Sequence, residues 1–153
     1  MEAVKAKDVM RVATVLRPDD PAEDLLSLFK RPGLRAVSVV SPQGELIGLV
    51  TDQDLLGAVL PPYVVEDPLL ARPLAADAIQ ELHLRLTGKR VKDVVSIRRP
   101  RQPPVDLDDS LIEVTSRLVR SGDPAVAVIK DDVLVGLITV DDLLSALVAL
   151  HRP

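Results

Sequence analysis

Two copies of one seven-residue pattern are the best candidates for chemistry in this chain. Each copy has a glycine, two apolar residues, a threonine, two further residues and an aspartate, and the copies occupy residues 48–54 and 136–142. Both fall where a predicted strand runs into a helix without a loop, so the N–H groups of the helix N-terminus open at the sheet edge and attract phosphate. The glycine leaves room for a ligand to approach the backbone. The pattern therefore indicates a site for a phosphorylated ligand.

A purely structural interpretation of the same pattern is also available. Thr51 with Asp54, and Thr139 with Asp142, have the spacing of a capping box that satisfies backbone N–H groups at a helix start. A single copy favours capping. The repetition of the pattern favours binding, because each copy follows a strand start of small residues that could form a low apolar wall for a planar base. These strand starts are Ala36-Val37 and Pro124-Ala125-Val126.

Composition excludes several classes of function. The 153 residues include no cysteine, which removes disulfide frameworks, thiolate catalysis and zinc–thiolate sites. Aromatic residues make up 1% and the net charge is -4, so nucleic acid binding is not expected. His83 and His151 have no second ligand at metal spacing. No set of nucleophile, base and orienting group is visible, so we expect no enzymatic activity, no catalytic cofactor and no metal.

Two other groups of residues leave alternatives open. Arg98, Arg99 and Arg101 either meet phosphates or belong to a solvated loop. Tyr63, the only tyrosine, either covers an apolar edge or touches a ligand.

An internal repeat organises the chain. Residues 20–40 align without a gap on residues 109–129, and the match continues through both seven-residue patterns into the helices that follow. Upstream, Lys7-Asp8-Val9 matches Lys92-Asp93-Val94. Polar residues and glycines match in register, which shared hydrophobicity does not explain. The chain is therefore predicted to contain two copies of one structural unit.

Each unit has the signals of a mixed α/β (α+β) fold. Capping residues predict helices that start near Asp20 and Asp109, with Ser110 as the second cap, and end at Gly33 and Gly122. Strands are predicted over residues 36–40, 46–50, 125–129 and 134–138, and closing helices over 52–60 and 140–150. Each unit is then roughly β-α-β-β-α. Its sheet has one uncovered face, so we expect the two pseudo-symmetric units to pack sheet to sheet.

The boundaries of the two units follow from proline and glycine residues that interrupt helices and strands. We expect a first unit over residues 1–60, a connector with one helix (residues 75–86) over 61–90, and a second unit over 91–153. The first residues have no apolar signal region and no apolar stretch is long enough to span a bilayer. Together with the absence of cysteine, this predicts a cytoplasmic protein without membrane contact.

The duplicated pattern and its setting resemble a tandem pair of CBS (cystathionine-β-synthase) domains, also called a Bateman module. The resemblance runs from Lys7-Asp8-Val9-Met10 to Leu150. It implies that two units leave two clefts between them. It also implies that an adenosine compound (AMP, ADP, ATP or S-adenosylmethionine) binds in one or both clefts as a ligand. Many relatives regulate an attached enzyme, channel or transporter, so here we expect a separate effector protein.

The resemblance also implies roles for individual residues. Asp54 and Asp142 would accept hydrogen bonds from ribose hydroxyls, and Thr51 and Thr139 would donate to phosphate beside Gly48 and Gly136. The remaining contacts would be apolar, with the strand starts as one wall for adenine and two residues covering its other face. The wall residues are Ala36, Val37, Pro124, Ala125 and Val126, and the covering residues are Val12 and Ile97.

Departures from the repeat predict unequal clefts. Arg35 stands where the second unit has Pro124, and Met10 stands where it has Val95. We expect the cleft that carries Asp142 to be the stronger, because Pro124-Ala125-Val126 better matches the family's adenine wall. Apolar residues on several faces of the closing helices predict a homodimer. The alternative to a ligand sensor is a structural or interaction protein that has kept the fold without the ligand.

Overall fold

The computed structural model describes residues 4–74, 78–97, 99–100 and 102–151. Its first half contains three helices and three strands. In chain order these are α1 (Ala6–Val9), β1 (Val15–Leu16), α2 (Glu23–Phe29), β2 (Ala36–Val40), β3 (Leu46–Thr51) and α3 (Asp52–Val59).

A connector of short helical segments follows. Its elements are α4 (Pro62–Glu66), a 3₁₀ turn (Pro68–Ala71) and α5 (Ala78–Leu84). Pro62 occupies the first turn of α4, where its missing N–H is not needed. The helix predicted over residues 75–86 corresponds to α5, and residues 75–77 of that prediction lie outside the described residues.

The second half repeats the order of the first. Its elements are α6 (Val91–Val94), β4 (Val105–Asp106), α7 (Leu111–Ser121), β5 (Ala125–Lys130), β6 (Val133–Thr139) and α8 (Val140–His151). The mixed α/β class is confirmed, and the four predicted hairpin strands are each placed within one residue at either end. The prediction of β-α-β-β-α lacked one short helix at the start of each unit, because four residues carry no readable periodicity.

Each half contributes one three-stranded sheet with the same topology. The orders are β1-β2-β3 and β4-β5-β6, with a parallel first pair and an antiparallel hairpin. In the second hairpin Asp131 and Asp132 adopt left-handed φ values of 52° and 66°, as a tight two-residue turn requires. In the first, Gly44 has a φ of 84°.

Three apolar clusters form the core. One lies between the first sheet and its helices, and a second lies between the second sheet and its helices. The third joins the sheets to each other and consists of small and medium side chains from both, namely Ala36, Leu49, Ala125, Ala127 and Leu137. The predicted sheet-to-sheet packing is therefore present in the structure.

The two halves exchange their first helices. Ala6 of α1 is fully buried in the second core, and Val91 of α6 is fully buried in the first core. Equivalent backbone hydrogen bonds hold each exchanged helix against the other half, at what we call the two crossings. Ala6 N donates to Asp109 O at 2.9 Å, and Val91 N donates to Asp20 O at 2.9 Å. Each core is therefore completed by residues from both halves of the chain.

Equivalent ion pairs lie over the two crossings. The Asp108 carboxylate is 3.3 Å from Lys7 Nζ and 3.7 Å from Lys5 Nζ. On the other side, Asp19 is 2.8 Å from Lys92 Nζ and 3.2 Å from Arg90 Nη1. The hydrogen bond from Lys7 lowers the pKa of Asp108, and the hydrogen bond from Lys92 lowers the pKa of Asp19. The ion pairs therefore follow the pseudo-symmetry of the backbone.

The helix caps are as predicted in the second unit only. Ser110 Oγ accepts from Glu113 N at 3.2 Å, and Gly122 ends α7 with a φ of 68°. In the first unit the predicted N-cap is wrong, and Gly33 adopts the predicted left-handed φ, 79°, but lies beyond the C-cap Lys30. Helix α2 begins at Glu23 without a side-chain cap, because the Asp20 carboxylate accepts from Arg17 N in the preceding turn. It ends at Phe29, before the residues that Pro32 restricts.

Substitution by alanine at two glycines is predicted to change the free energy of unfolding in opposite directions. A Cβ at Gly136 would lie 2.6 Å from Met10 Sδ and 3.0 Å from the Arg11 carbonyl oxygen, whereas a Cβ at Gly57 would meet nothing within 4 Å. We expect Gly136→Ala to lower the free energy of unfolding by about 1–3 kcal/mol through overpacking. Gly57→Ala, within α3, should raise it by about 0.5–1 kcal/mol. Urea denaturation measures both, and equal stability of the two variants would contradict the close approach at Gly136.

Candidate functional site

Strand register brings each motif threonine beside the start of the neighbouring strand. Ala36 pairs with Thr51 across β2 and β3, and Ala125 pairs with Thr139 across β5 and β6. Each threonine ends its strand, and the next residue begins α3 or α8. The sequence interpretation of a strand that opens directly into a helix is confirmed in both units.

Both motifs form capping boxes. Thr51 N donates to Asp54 Oδ2 at 2.9 Å, and Asp54 N donates to Thr51 Oγ1 at 3.1 Å. Thr139 and Asp142 repeat the arrangement at 2.9 and 3.2 Å. The two threonines are only 6% and 8% exposed. Capping therefore explains part of the motif, and its hydrogen bonds from the threonine backbone use one oxygen, Oδ2, of each carboxylate.

Asp142 has a second partner from the far end of the chain. Arg11 Nε donates to Oδ1 at 3.1 Å and to Oδ2 at 3.0 Å, and Arg11 Nη2 also donates to Oδ1. Burial works against ionisation of Asp142, but the hydrogen bonds from Arg11 and Thr139 outweigh it, and the net effect lowers the pKa of this carboxyl. The hydrogen bond to Asp142 also raises the pKa of the Arg11 guanidinium. The expectation that this cleft is the stronger is therefore opposed by a competing cation at its aspartate.

The side chains of the predicted adenine wall lie on two different faces of their sheets. Val37 and Val126 are 0% and 5% exposed and belong to the two helix-facing cores, so their side chains do not face a cleft. Ala36 and Ala125 lie in the cluster between the sheets. This correction has a simple cause: neighbouring residues of a strand point to opposite faces, so two consecutive residues cannot both line one wall.

The exchange of the first helices decides where the two covering residues lie. Val12, 89% exposed, follows Arg11, whose backbone pairs with Leu137 in the second unit. Ile97 is half-buried against the first core. Val12 therefore belongs to the first unit in sequence but lies beside the second unit. Ile97 belongs to the second unit but lies beside the first. Gly48 and Gly136 are both buried within their hairpins, opposite Val39 and Val128.

A cavity of about 350 Å³ lies at the start of α3, between the two units. Its polar lining includes Arg35, Thr51 and Asp123, and Arg35 Nε lies 3.4 Å from Asp52 Oδ2. The other lining residues are Asp52, Gln53, Gly122, Pro124 and Val140. Sequence reasoning treated Arg35 only as a departure from the repeat. The sequence does contain a signal for this role. Arg35 is a positively charged residue directly before β2, and β2 pairs with β3, the strand that ends at the motif threonine.

A second cavity of about 730 Å³ lies at the opposite end of β3. Residues of both units line it, together with the segment between α6 and β4, which is longer than the matching segment between α1 and β1. The lining residues are Glu45, Leu46, Ile47, Arg99, Pro100, Gln102, Pro103, Pro104, Ile129 and Asp132. Arg99 is the one predicted phosphate contact found here, since Arg98 and Arg101 lie outside the described residues.

The remaining candidates form no site of their own. Tyr63 is half exposed on α4, and His83 and His151 are exposed on α5 and α8. Within the described ranges, no three histidine, aspartate or glutamate side chains come together as a metal site would require. No helix in the same ranges has the length and apolar character needed to cross a bilayer.

Comparison with known proteins agrees with the duplicated unit. A family model described as the CBS domain matches residues 6–61 and again residues 91–149. An uncharacterized protein from Methanocaldococcus jannaschii is 22% identical over 160 residues, which cover 96% of this chain and 93% of the relative.

Solved structures share the fold over nearly the whole chain. A CBS domain-containing protein of unknown function from Kribbella flavida has a TM-score of 0.81 at 26% identity, covering 95% of this chain and 99% of its own. CBSX2, a CBS-pair protein from Arabidopsis thaliana, has a TM-score of 0.74 at 20% identity, covering 99% of both chains. CBSX2 in complex with AMP has a TM-score of 0.68 at 21% identity, covering 97% of this chain and 98% of its own.

The lowered pKa of Asp142 predicts a pH-dependent contribution to stability. Because its pKa is lower in the folded state, the contribution is complete above the unfolded value of about 4 and is lost as the pH falls through the folded pKa. We expect the free energy of unfolding of wild type to fall more steeply below about pH 4 than that of Asp142→Asn. Urea denaturation across this range measures the difference, and parallel curves would contradict the ion pair with Arg11.

Proposed function

This chain belongs to the CBS domain family, and we propose that it is a regulatory module that binds an adenosine compound between its two units and signals to a separate protein. The ligand class is AMP, ADP, ATP or S-adenosylmethionine. The proposal assigns the ligand to the cleft of the first motif, that of Thr51 and Asp54.

The observation that carries the proposal is the cavity at the start of α3. It combines the N-terminus of an eight-residue helix with the guanidinium of Arg35 and the threonine of the motif. Helix N-termini and arginine both favour phosphate groups. Asp52 lies beside Arg35 at 3.4 Å, so a bound phosphate competes with that carboxylate for the guanidinium. In this proposal Asp54 accepts the ribose hydroxyls at the base of the same helix.

The larger cavity does not extend this site. It lies at the opposite end of β3 from Thr51, and a strand rises about 3.3 Å per residue, so one AMP molecule does not reach both cavities. We therefore assign the adenine beside Ala36, which pairs with Thr51, and Pro124, which lines the cavity at the start of α3. AMP bound to CBSX2, which shares the fold, supports an adenosine ligand.

The proposal includes binding without turnover. The polar side chains at the two cavities are carboxylates, arginines, two amides and a threonine engaged in capping. Among the described residues, no nucleophile, base and orienting group lie together in the arrangement that hydrolysis requires.

A structural or interaction protein without ligand is the second candidate. The observation that favours it is that the motif residues already make hydrogen bonds within the chain. Both motifs form capping boxes, and Asp142 also pairs with Arg11. Under this alternative, substitution of the aspartates changes stability alone.

Substitution of Asp54 separates the two candidates. We expect AMP, ADP, ATP or S-adenosylmethionine to raise the stability of wild type, by about 2.7 kcal/mol at one hundred times the dissociation constant. Asp54→Ala should weaken binding about ten- to a hundredfold, because hydrogen bonds to a charged group are lost. Thermal shift and calorimetry measure both quantities, and a phosphate-release assay with ATP checks for turnover.

Asp20→Ala is the matched control for Asp54→Ala. Asp20 also accepts a backbone N–H, from Arg17 at 2.8 Å, so its loss should lower stability to a similar degree without weakening binding. Wild-type affinity in Asp54→Ala would support the structural candidate. Sustained release of phosphate would show an active site and remove the regulatory proposal.

We also propose that the module forms a homodimer through α3 and α8. Leu56 on α3 and Leu144, Leu147 and Val148 on α8 are each more than half exposed, whereas Leu55 and Leu143 are buried in their own cores. An apolar surface of this kind marks an interaction site.

Light scattering tests the dimer. We expect a particle of twice the 16.6 kDa chain mass at micromolar concentration, and Leu147→Glu should shift it toward the monomer because it places charge in the apolar surface. Thr115→Glu on α7 is outside this surface and should leave the mass unchanged. A monomeric wild-type particle would remove the proposal.

A further inference from the structure

The N–H groups at the start of α3 have acceptors within the chain. Thr51 N donates to Asp54 Oδ2 at 2.9 Å, and Asp54 N donates to Thr51 Oγ1 at 3.1 Å. Asp52 N donates to the Arg35 carbonyl oxygen at 3.1 Å. Gln53 N donates to Asp52 Oδ1 at 2.8 Å. A phosphate at this helix start therefore has to replace one of these acceptors, because each of the four N–H groups is already paired.

Asp52 is the acceptor that a phosphate replaces most easily. The Arg35 carbonyl belongs to the backbone, and Thr51 is only 6% exposed within its capping box. The Asp52 side chain is 34% exposed, so it can turn away from the helix without a change in the backbone. Its Oδ2 atom lies 3.4 Å from Arg35 Nε. The carboxylate thus contacts Gln53 N and Arg35 Nε, the two kinds of donor that a phosphate takes at a helix N-terminus.

The charges of Arg35 and Asp52 are not needed to form this helix start. The repeat places Pro124 and Val140 at the same two positions. There Val140 N donates to the Pro124 carbonyl oxygen at 3.3 Å, as Asp52 N donates to that of Arg35. The same backbone contact therefore forms between two residues that carry no charge. All four residues line the cavity, so a binding role accounts for the charged pair where a structural role does not.

We propose that Asp52 is an internal substitute for phosphate, and that its displacement makes the module selective for adenosine compounds that carry a phosphate group. A carboxylate has a single negative charge, whereas a phosphate monoester has about -1.5 to -2 at neutral pH and is the stronger partner for Arg35. Adenosine has no such group, and the carboxylate of S-adenosylmethionine has no advantage in charge over Asp52. The inference rests on the proposed function for the position of the ligand, and it narrows the ligand class to AMP, ADP and ATP.

Calorimetry with AMP, adenosine and S-adenosylmethionine tests the proposal. Wild type should bind AMP more tightly than either of the other two compounds. Asp52→Asn removes the competing charge but keeps a side-chain oxygen for Gln53 N. It should strengthen AMP binding by about two- to tenfold and leave adenosine binding unchanged. Arg35→Ala should lower the affinity for AMP to that for adenosine.

Asp24→Asn is the matched control. Asp24 is exposed in the first turn of α2, so its substitution removes the same charge from a helix start outside the cavity and should leave AMP affinity unchanged. If Asp52 only stabilised the start of α3, Asp52→Asn would leave AMP binding unchanged or weaken it, and either result overturns the inference. An equal gain in Asp24→Asn also overturns it, since it shows a general effect of charge. Equal affinity of wild type for AMP and adenosine overturns the inference but leaves the proposed adenosine site in place.

Inorganic phosphate separates the inference from the proposed function. In nuclear magnetic resonance, phosphate should shift the Gln53 amide at lower concentration in Asp52→Asn than in wild type, and should not shift it in Arg35→Ala. If phosphate acts in this way but no adenosine compound binds, Asp52 remains a substitute for phosphate and the proposed function fails. If AMP binds while phosphate leaves the Gln53 amide unchanged in wild type and in Asp52→Asn, the inference fails and the proposed function stands.

Discussion

The exchange of first helices between the two halves is the constraint on which the rest of the structure depends. Helices α1 and α6 have four residues each, too few to be stable alone, so they exist only because each is packed against the other half. Ala6 and Val91 are completely buried there, and both crossings use the same backbone hydrogen bonds. Neither half therefore has a complete core by itself, and the two units form one cooperative module.

The same exchange determines the composition of the clefts. A segment that belongs to the first half in sequence, residues 10–13, runs along β6 and reaches the second motif. The corresponding segment of the second half is longer and lines the large cavity beside β3. These two segments differ most in length, whereas the hairpins keep the same topology and place both motif threonines in the same pairing. Unequal clefts thus follow from a symmetric scaffold with two different covering segments.

Local patterns were sufficient to predict the hairpins and the helices that follow them. Alternation, turn residues and the threonine caps are encoded within about ten residues, so strands such as Ala36–Val40 are found where the sequence places them. The exchange of helices could not be predicted, because it depends on which core buries Ala6 and Val91. Arg11 lies 131 residues from Asp142, and no local pattern connects them. The resemblance assigned Ala36 and Val37 to one wall, whereas neighbouring residues of a strand point to opposite faces and the Val37 side chain packs in the first core.

Capping and binding are not exclusive functions for the motif, and in the proposed function their overlap gives the module a route for a signal. Thr51 and Asp54 fix the first turn of α3, and Thr139 and Asp142 fix that of α8. The exposed apolar residues Leu56 and Leu144 lie on the same two helices. In the proposed function, a ligand that donates hydrogen bonds to Asp54 therefore acts on the start of a helix whose outer face is exposed. Such a ligand shifts the module only by its difference in affinity between two arrangements of that helix. The weakly buried helix starts, rather than the sheet-to-sheet core, are where such a difference can arise, because the core is closely packed and resists small displacements.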